Sequence, residues 1–144
     1  MNDWLIVANG APVSSDCLVQ WGENRSVCAC DGAYSGLKQQ NIVVDMLIGD
    51  FDSVDTGDLS HCHHSPGIEC HKLPDQAKTD LEKAIEFLDD RGATSIVVVQ
   101  ATGYRVDHTL YNIRLLRRFY RQSRPFVLVN DHERISFHRD CDIR

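Results

Sequence analysis

The sequence predicts an α/β fold: a mostly parallel, Rossmann-like sheet with helices on both faces. Three observations carry this. Short apolar runs ending in glycine-bearing or acidic turns alternate with segments of helical periodicity. Two of those segments, near residues 80–91 and 108–121, carry a clear apolar stripe. The run "SIVVVQ" at 95–100 is the most β-branched stretch of the chain and reads as a central strand.

In order, "WLIVANG" reads as a buried strand closed by the turn Asn9-Gly10. Residues 13–21 are weakly helical, with Val13, Cys17, Leu18 and Trp21 at compatible spacing. "SVCACDGA" repeats the first pattern and ends in Asp31-Gly32; a short helix from Ala33 to Gln39 follows, and Asn41 ends it. "DMLIGDFDSV", residues 45–54, is the third run. Residues 55–69, including "HCHHSPG", are polar and read as a loop before a short strand from Cys70 to Leu73. From Thr79 the chain turns helical: Leu81, Ala84, Ile85 and Leu88 share one face. Thr79 and Glu82 have capping-box spacing, and Gly92 marks the stop. After the strand at 95–100, a second long helix is expected from about His108 to Arg121. Leu110, Ile113, Leu116 and Tyr120 form its stripe, and Arg117, Arg118 and Arg121 suit the negative pole of its dipole. "PFVLVN" is a further strand, then the turn "DHE" and the run "RISFH".

At 144 residues, 42% hydrophobic and 25% charged, this is one domain's worth of ordinary globular chain. A net charge of -6 argues against a general polyanion binder, though a divalent metal can supply positive charge to a nucleotide site. No apolar run approaches the ~18 residues that span a membrane, and "MNDWLIVANG" has no basic region of a signal peptide, so a cytoplasmic protein is expected. Six cysteines are present; Cys28 and Cys30 lie within an apolar run, and reduced thiols are the expectation.

The chemistry gathers at the strand ends. Asp50 and Asp52 follow Met46-Leu47-Ile48-Gly49, and residues two apart in extended chain face the same side, where both can meet one hard cation. Gly49 lets the backbone bend and admits a phosphate closely. Asn9-Gly10, Asp31-Gly32 and the stretch from Gly103 to His108 also follow strands, and parallel topology brings such turns to one edge. Asp80 and Lys83 join from the helix beginning near Thr79. Carboxylates, glycine turns and Arg105 make a kit for a Mg-bound polyphosphate. Singly, each has a bland explanation. A lone D-x-D is usually a polar turn. Asp80 suits the helix dipole, Asp107 can be an N-cap, and Lys83 and Arg105 can be solvated charges.

Together, "ANG", "DGAYSGL", "LIGDFDSV", "TDLEKAI" and "GYRVDHTLYNI" resemble the thiamin pyrophosphokinase family, in its order and at its approximate spacing. The resemblance implies transfer of the terminal diphosphate of ATP to the hydroxyl of thiamin, giving AMP and thiamin diphosphate. It implies Mg2+ at Asp50, Asp52 and Asp80, with Asp107 joining these three as catalytic. It places Asn9, Gly10, Asp31, Gly32, Thr79, Lys83, Gly103, Arg105 and His108 around the nucleotide. Asp107 or another loop acid would accept the hydroxyl proton. ATP and thiamin are the implied partners, without nucleic acid or membrane, and the full-length family protein is expected to be a homodimer. Residues 1–124 correspond to the catalytic domain, and 125–144 to its final strand and the truncated start of a thiamin-binding β-sandwich. Two departures stand out: the sandwich is otherwise missing, and Ala77 stands where the family commonly has Asp, unless Asp75 turns inward to replace it.

Three other readings compete. A haloacid-dehalogenase-like phosphatase also uses D-x-D after an apolar strand, but usually on its first strand. The histidines at 61, 63, 64 and 71 with Cys62 and Cys70 could bind zinc. A Mg-nucleotide-binding domain without turnover is compatible with the family match and is favoured by Ala77.

Overall fold

A computed structural model of the chain describes residues 2–52 and 54–139. Seven strands, β1 (Asp3–Val7), β2 (Ser26–Cys30), β3 (Met46–Gly49), β4 (Glu69–Lys72), β5 (Ser95–Val99), β6 (Phe126–Val129) and β7 (Arg134–Ser136), alternate with five helices. The helices are α1 (Ser15–Gly22), α2 (Ala33–Gln39), α3 (Thr56–His64), α4 (Asp80–Asp90) and α5 (Val106–Arg118). The strands form one sheet in the order β4-β3-β2-β1-β5-β6-β7, parallel except for β7. The chain steps outward from β1 to β4, then returns to lay β5 on the other side of β1. That reversal opens a crevice at the carboxyl ends of β1 and β5, where open α/β sheets bind ligands.

Side-chain alternation along the strands fills a core on each face. Ile6, Cys28, Ile48 and Val98 point to the layer of α4 and α5, against Leu81, Ala84, Ile85, Leu88, Leu115 and Leu116. Leu5, Ala29, Leu47 and Val97 point to the layer of α1, α2 and α3, against Leu18, Tyr34, Leu37 and Cys62. The expected sheet and its two helical layers are present. No described helix is long and apolar enough to cross a membrane.

Four local expectations need correction. Residues 56–64 are the helix α3, not loop: Asp55 caps it through Gly57 N (2.8 Å), and Cys62 alone is buried on it. Its polar, histidine-rich sequence carries almost no stripe. Helix α5 runs from Val106 to Arg118, and Leu110 is exposed while Leu115 and Leu116 are its buried residues. The capping box at Thr79 is half formed. Thr79 Oγ1 accepts from Glu82 N (3.2 Å), but the Glu82 carboxylate is bound to α5 instead. Cys62 and Cys70 form a disulfide between α3 and β4, while Cys17, Cys28 and Cys30 are free and buried; Cys141 lies outside the described residues.

The terminal run "FVLVN" joins the main sheet as β6, and "RIS" returns antiparallel as β7. Asn130 Oδ1 closes the turn by accepting from His132 N and Glu133 N at 2.8 and 2.7 Å.

Asp89, at the end of α4, ties that helix to the segment after α5. It accepts both Nε and Nη2 of Arg121 (2.8 Å each) and Nη1 of the buried Arg124. The Arg121 guanidinium, helped by Arg124, holds the Asp89 carboxyl below the usual carboxylate range. A folded value below the unfolded one means stability that is present above about pH 4 and lost as pH falls through the folded value. Asp89→Asn should therefore cost about 1.5 kcal/mol at pH 7 and flatten the acid side of the stability profile. Urea unfolding between pH 2 and 7 measures both; an unchanged acid limb would contradict the tie.

Candidate active site

The register of the parallel strands decides which acids meet. Cys30 lies beside Ile48, and Asp31 N donates to Ile48 O (2.9 Å), so the residues after β2 flank those after β3. Ligand oxygens of Asp31, Asp50 and Asp52 consequently lie within 4.8 Å of one another. Asp80, at the first turn of α4, closes the group from the side. A Cβ on Gly49 would sit 3.0 Å from Asp31 Cβ and 3.3 Å from Asp80 Cγ, so the acids converge over a position with no room for a side chain.

The electrostatics separate the acids. Asp52 N donates to Asp50 Oδ1 (3.2 Å), and chiefly this bond holds Asp50 down to about 2, keeping it a charged oxygen ligand. Burial pushes the Asp80 carboxyl upward, against the pull of Lys83, and the Asp50 charge adds to the rise. Asp31 is 1% exposed and shares hydrogen bonds with the carboxyls of Asp50 and Asp80. Such a crowd of buried and half-buried carboxylates repels itself unless protons or a cation intervene.

Asp80 also lines the neighbouring crevice, a cleft of about 660 Å3. Its walls are Ala8, Asn9 and Gly10 after β1, residues 100–105 after β5, Thr79 and the start of α5 with Asp107, His108 and Tyr111. The β1 and β5 loops are zipped together beyond the sheet: Gly10 N donates to Gln100 O (2.8 Å) and Ala11 N to Thr102 O (3.1 Å). Gln100 adds side-chain bonds to Ala8 O and Val13 N at 3.1 and 3.3 Å. A Cβ on Gly10 would lie 2.3 Å from Gln100 O, so the approach requires glycine. Asp31, Phe51, Gln100 and Tyr104 all have φ between 39 and 68°, so left-handed non-glycine backbone gathers at these strand ends. Conformations of this kind persist where the surroundings over-determine them, often at functional sites.

The sequence-predicted residues distribute as follows. Asp50 and Asp52 share the acidic cluster with Asp31, which the sequence placed only among the nucleotide turns. Asn9, Gly10, Thr79, Asp80, Gly103, Arg105, Asp107 and His108 line the cleft. Gly32 is the N-cap of α2, at φ -62, and is not among the cleft residues. Lys83 is buried, with Nζ donating to Leu73 O (2.7 Å) and Asp80 Oδ1 (3.4 Å). Arg105 grips Asp107 through Nε and Nη2 (3.0 and 2.6 Å), and this exposed fork holds the Asp107 carboxyl below its usual range. Asp75 does not turn inward; its Oδ1 accepts from Ala77 N (2.9 Å). Gln76, which sequence reasoning missed, reaches the cluster instead, with Nε2 3.3 Å from Asp50 Oδ2. The zinc reading loses two donors, because Cys62 and Cys70 are bonded to each other.

The profile described as "Thiamin pyrophosphokinase, catalytic domain" matches residues 18–128. Among solved structures, thiamine pyrophosphokinase from Bacillus subtilis superposes with a TM-score of 0.76 at 24% identity, over 93% of this chain and 63% of that one. Thiamin pyrophosphokinase from Geobacillus thermodenitrificans gives 0.68 at 25%, over 88% and 59%. The yeast enzyme gives 0.71 at 16%, over 90% and 58%. The chain thus spans less than two thirds of the length of these three structures. No curated protein matches it. D-x-D follows the third strand rather than the first, and the thiamin pyrophosphokinase profile covers most of the chain, which removes the dehalogenase reading. The chain belongs to the thiamin pyrophosphokinase family and has the fold of its catalytic domain.

Proposed function

We propose that this chain binds Mg2+ and ATP and transfers the terminal diphosphate to the hydroxyl of thiamin, releasing AMP. The observation that carries this is the Asp31–Asp50–Asp52 cluster at the strand ends, joined through Asp80 to the cleft between β1 and β5. The donor set fits Mg2+: hard carboxylate oxygens, close together and backed by a glycine. Asp31, Asp50 and Asp52 would hold the ion, with Asp80 beside them. When bound, it would offset charge on the β and γ phosphates of ATP.

The chain's own residues have separable parts in this proposal. Backbone after β1 and β5 forms the floor that phosphates approach, and Arg105 supplies guanidinium charge at the rim. Lys83 is a positioning residue; its buried ammonium fixes Asp80 against Leu73 O. The thiamin oxygen bonds to the β phosphorus as its bond to the α-phosphate oxygen breaks, and the hydroxyl proton must leave. Asp80 and Asp107 both line the cleft, and either carboxylate would accept it. A net charge of -6 supports small-molecule substrates rather than nucleic acid. Cytoplasmic residence and a homodimer in longer family proteins belong to the same proposal.

A second reading, Mg-nucleotide binding without turnover, is favoured by the loop at 74–79, which offers Asp50 the neutral Gln76 and has Ala77 beside it. Calorimetry with ATP, with and without Mg2+, tests what both readings share. Both expect binding only with the metal; equal binding in EDTA would remove the acidic cluster from the account. Ala77→Asp should strengthen Mg2+-dependent binding if that position faces the metal, and an unchanged affinity would show that it does not.

A further inference from the structure

Glu82 is 1% exposed, one position beyond Leu81 on the first turn of α4, and a buried carboxylate is costly unless fully bonded. Both of its oxygens are taken from α5: the Tyr111 hydroxyl donates to Oε2 and Arg118 Nη1 to Oε1. This has a consequence for the cleft. Tyr111 lines it, yet its hydroxyl is committed to Glu82, so the part left for a ligand is the ring. The next residue, Asn112, donates Nδ2 to Ala101 O (2.8 Å) and pins this turn of α5 to the β5 loop. The ring is therefore held in place before any ligand arrives, at 36% exposure, whereas Tyr104 on the same cleft is 77% exposed. The remaining wall combines backbone after β1 and β5 and polar groups such as Asn9, Thr102 and Arg105, which suit phosphate and sugar, with apolar surface from Ala8, Leu81 and Ala101, which suits a base.

We infer that Tyr111 is the wall on which the base of a nucleotide stacks, so that the cleft takes a nucleoside polyphosphate in preference to bare polyphosphate. This rests on the nucleotide reading above. Because the hydroxyl is committed, recognition is by the π face, which every base can meet.

The test uses the 144-residue chain and two calorimetric probes, MgATP and magnesium tripolyphosphate. Tyr111→Leu should weaken MgATP about tenfold and leave tripolyphosphate unchanged. Tyr111→Phe keeps the ring on the turn that Asn112 pins and should bind MgATP well above Tyr111→Leu, with thermal melting of both variants checking that each is folded after Glu82 loses the hydroxyl. An unchanged MgATP affinity in Tyr111→Leu, an equal loss on both probes, or a loss in Tyr111→Phe matching that of Tyr111→Leu each overturns the inference alone. Failure of the unsubstituted chain to bind MgATP overturns the nucleotide reading and this inference together.

Discussion

Asp50→Asn is expected to lower the Mg2+-dependent affinity for ATP on the order of 100-fold while leaving the chain folded. Asp50 is held down to about 2, chiefly by the bond from Asp52 N, so it offers a charged ligand across the working pH range. Asparagine keeps the shape, and its oxygen can still accept from Asp52 N, so the turn after β3 should survive. What it removes is one negative charge from a hard-cation site, and carboxylate charge count sets much of the affinity of such sites. Titration of ATP at fixed Mg2+ reads the loss, and thermal melting without metal checks the fold. Binding within a few-fold of the unsubstituted chain would place the metal elsewhere.

The second large effect is expected at Gly10. Gly10→Ala puts a methyl 2.3 Å from the carbonyl oxygen of Gln100, a backbone atom that cannot swing aside. Either the β1 loop or the β5 loop must move, and the ladder of Gly10 N to Gln100 O and Ala11 N to Thr102 O opens with it. Overpacking of this kind costs about 3 kcal/mol where neither side can yield. The same two loops floor the cleft, so nucleotide affinity should fall together with stability. Gly36→Ala is the control, because its Cβ meets nothing within 4 Å. Equal denaturant midpoints for the two variants would contradict the zipped-loop geometry.

How much of this was legible in the sequence follows from what each feature depends on. The five inner strands were readable because their residues are mostly buried on both faces and therefore apolar, as in "LIV" and "IVVV", whereas the edge strands β4 and β7 are polar and largely exposed. Helix α4 was readable because Leu81, Ala84, Ile85 and Leu88 face one core. Helix α3 was not, since its hold on the fold is one buried cysteine and an Asp55 cap rather than a stripe. The α5 stripe was misplaced because its first turns wall a cleft rather than a core, leaving Leu110 outside. Asp50 and Asp52 announce themselves by spacing. The membership of Asp31 depends on β2 lying beside β3 in a given register, which no local pattern encodes. Lys83 reads as a surface cation or phosphate ligand until the Leu73 carbonyl is seen to bury it. Gln76 reaches Asp50 only because Asp75 folds onto its own loop.

The most direct test of diphosphate transfer is product analysis after the chain is incubated with MgATP and saturating thiamin. The account predicts AMP and thiamin diphosphate in equal amounts, no ADP, and no AMP when thiamin or Mg2+ is left out. ADP as the nucleotide product would contradict it, because the γ rather than the β phosphorus would have reacted. MgATP binding without AMP would leave the chain a nucleotide-binding domain and defeat the proposed transfer.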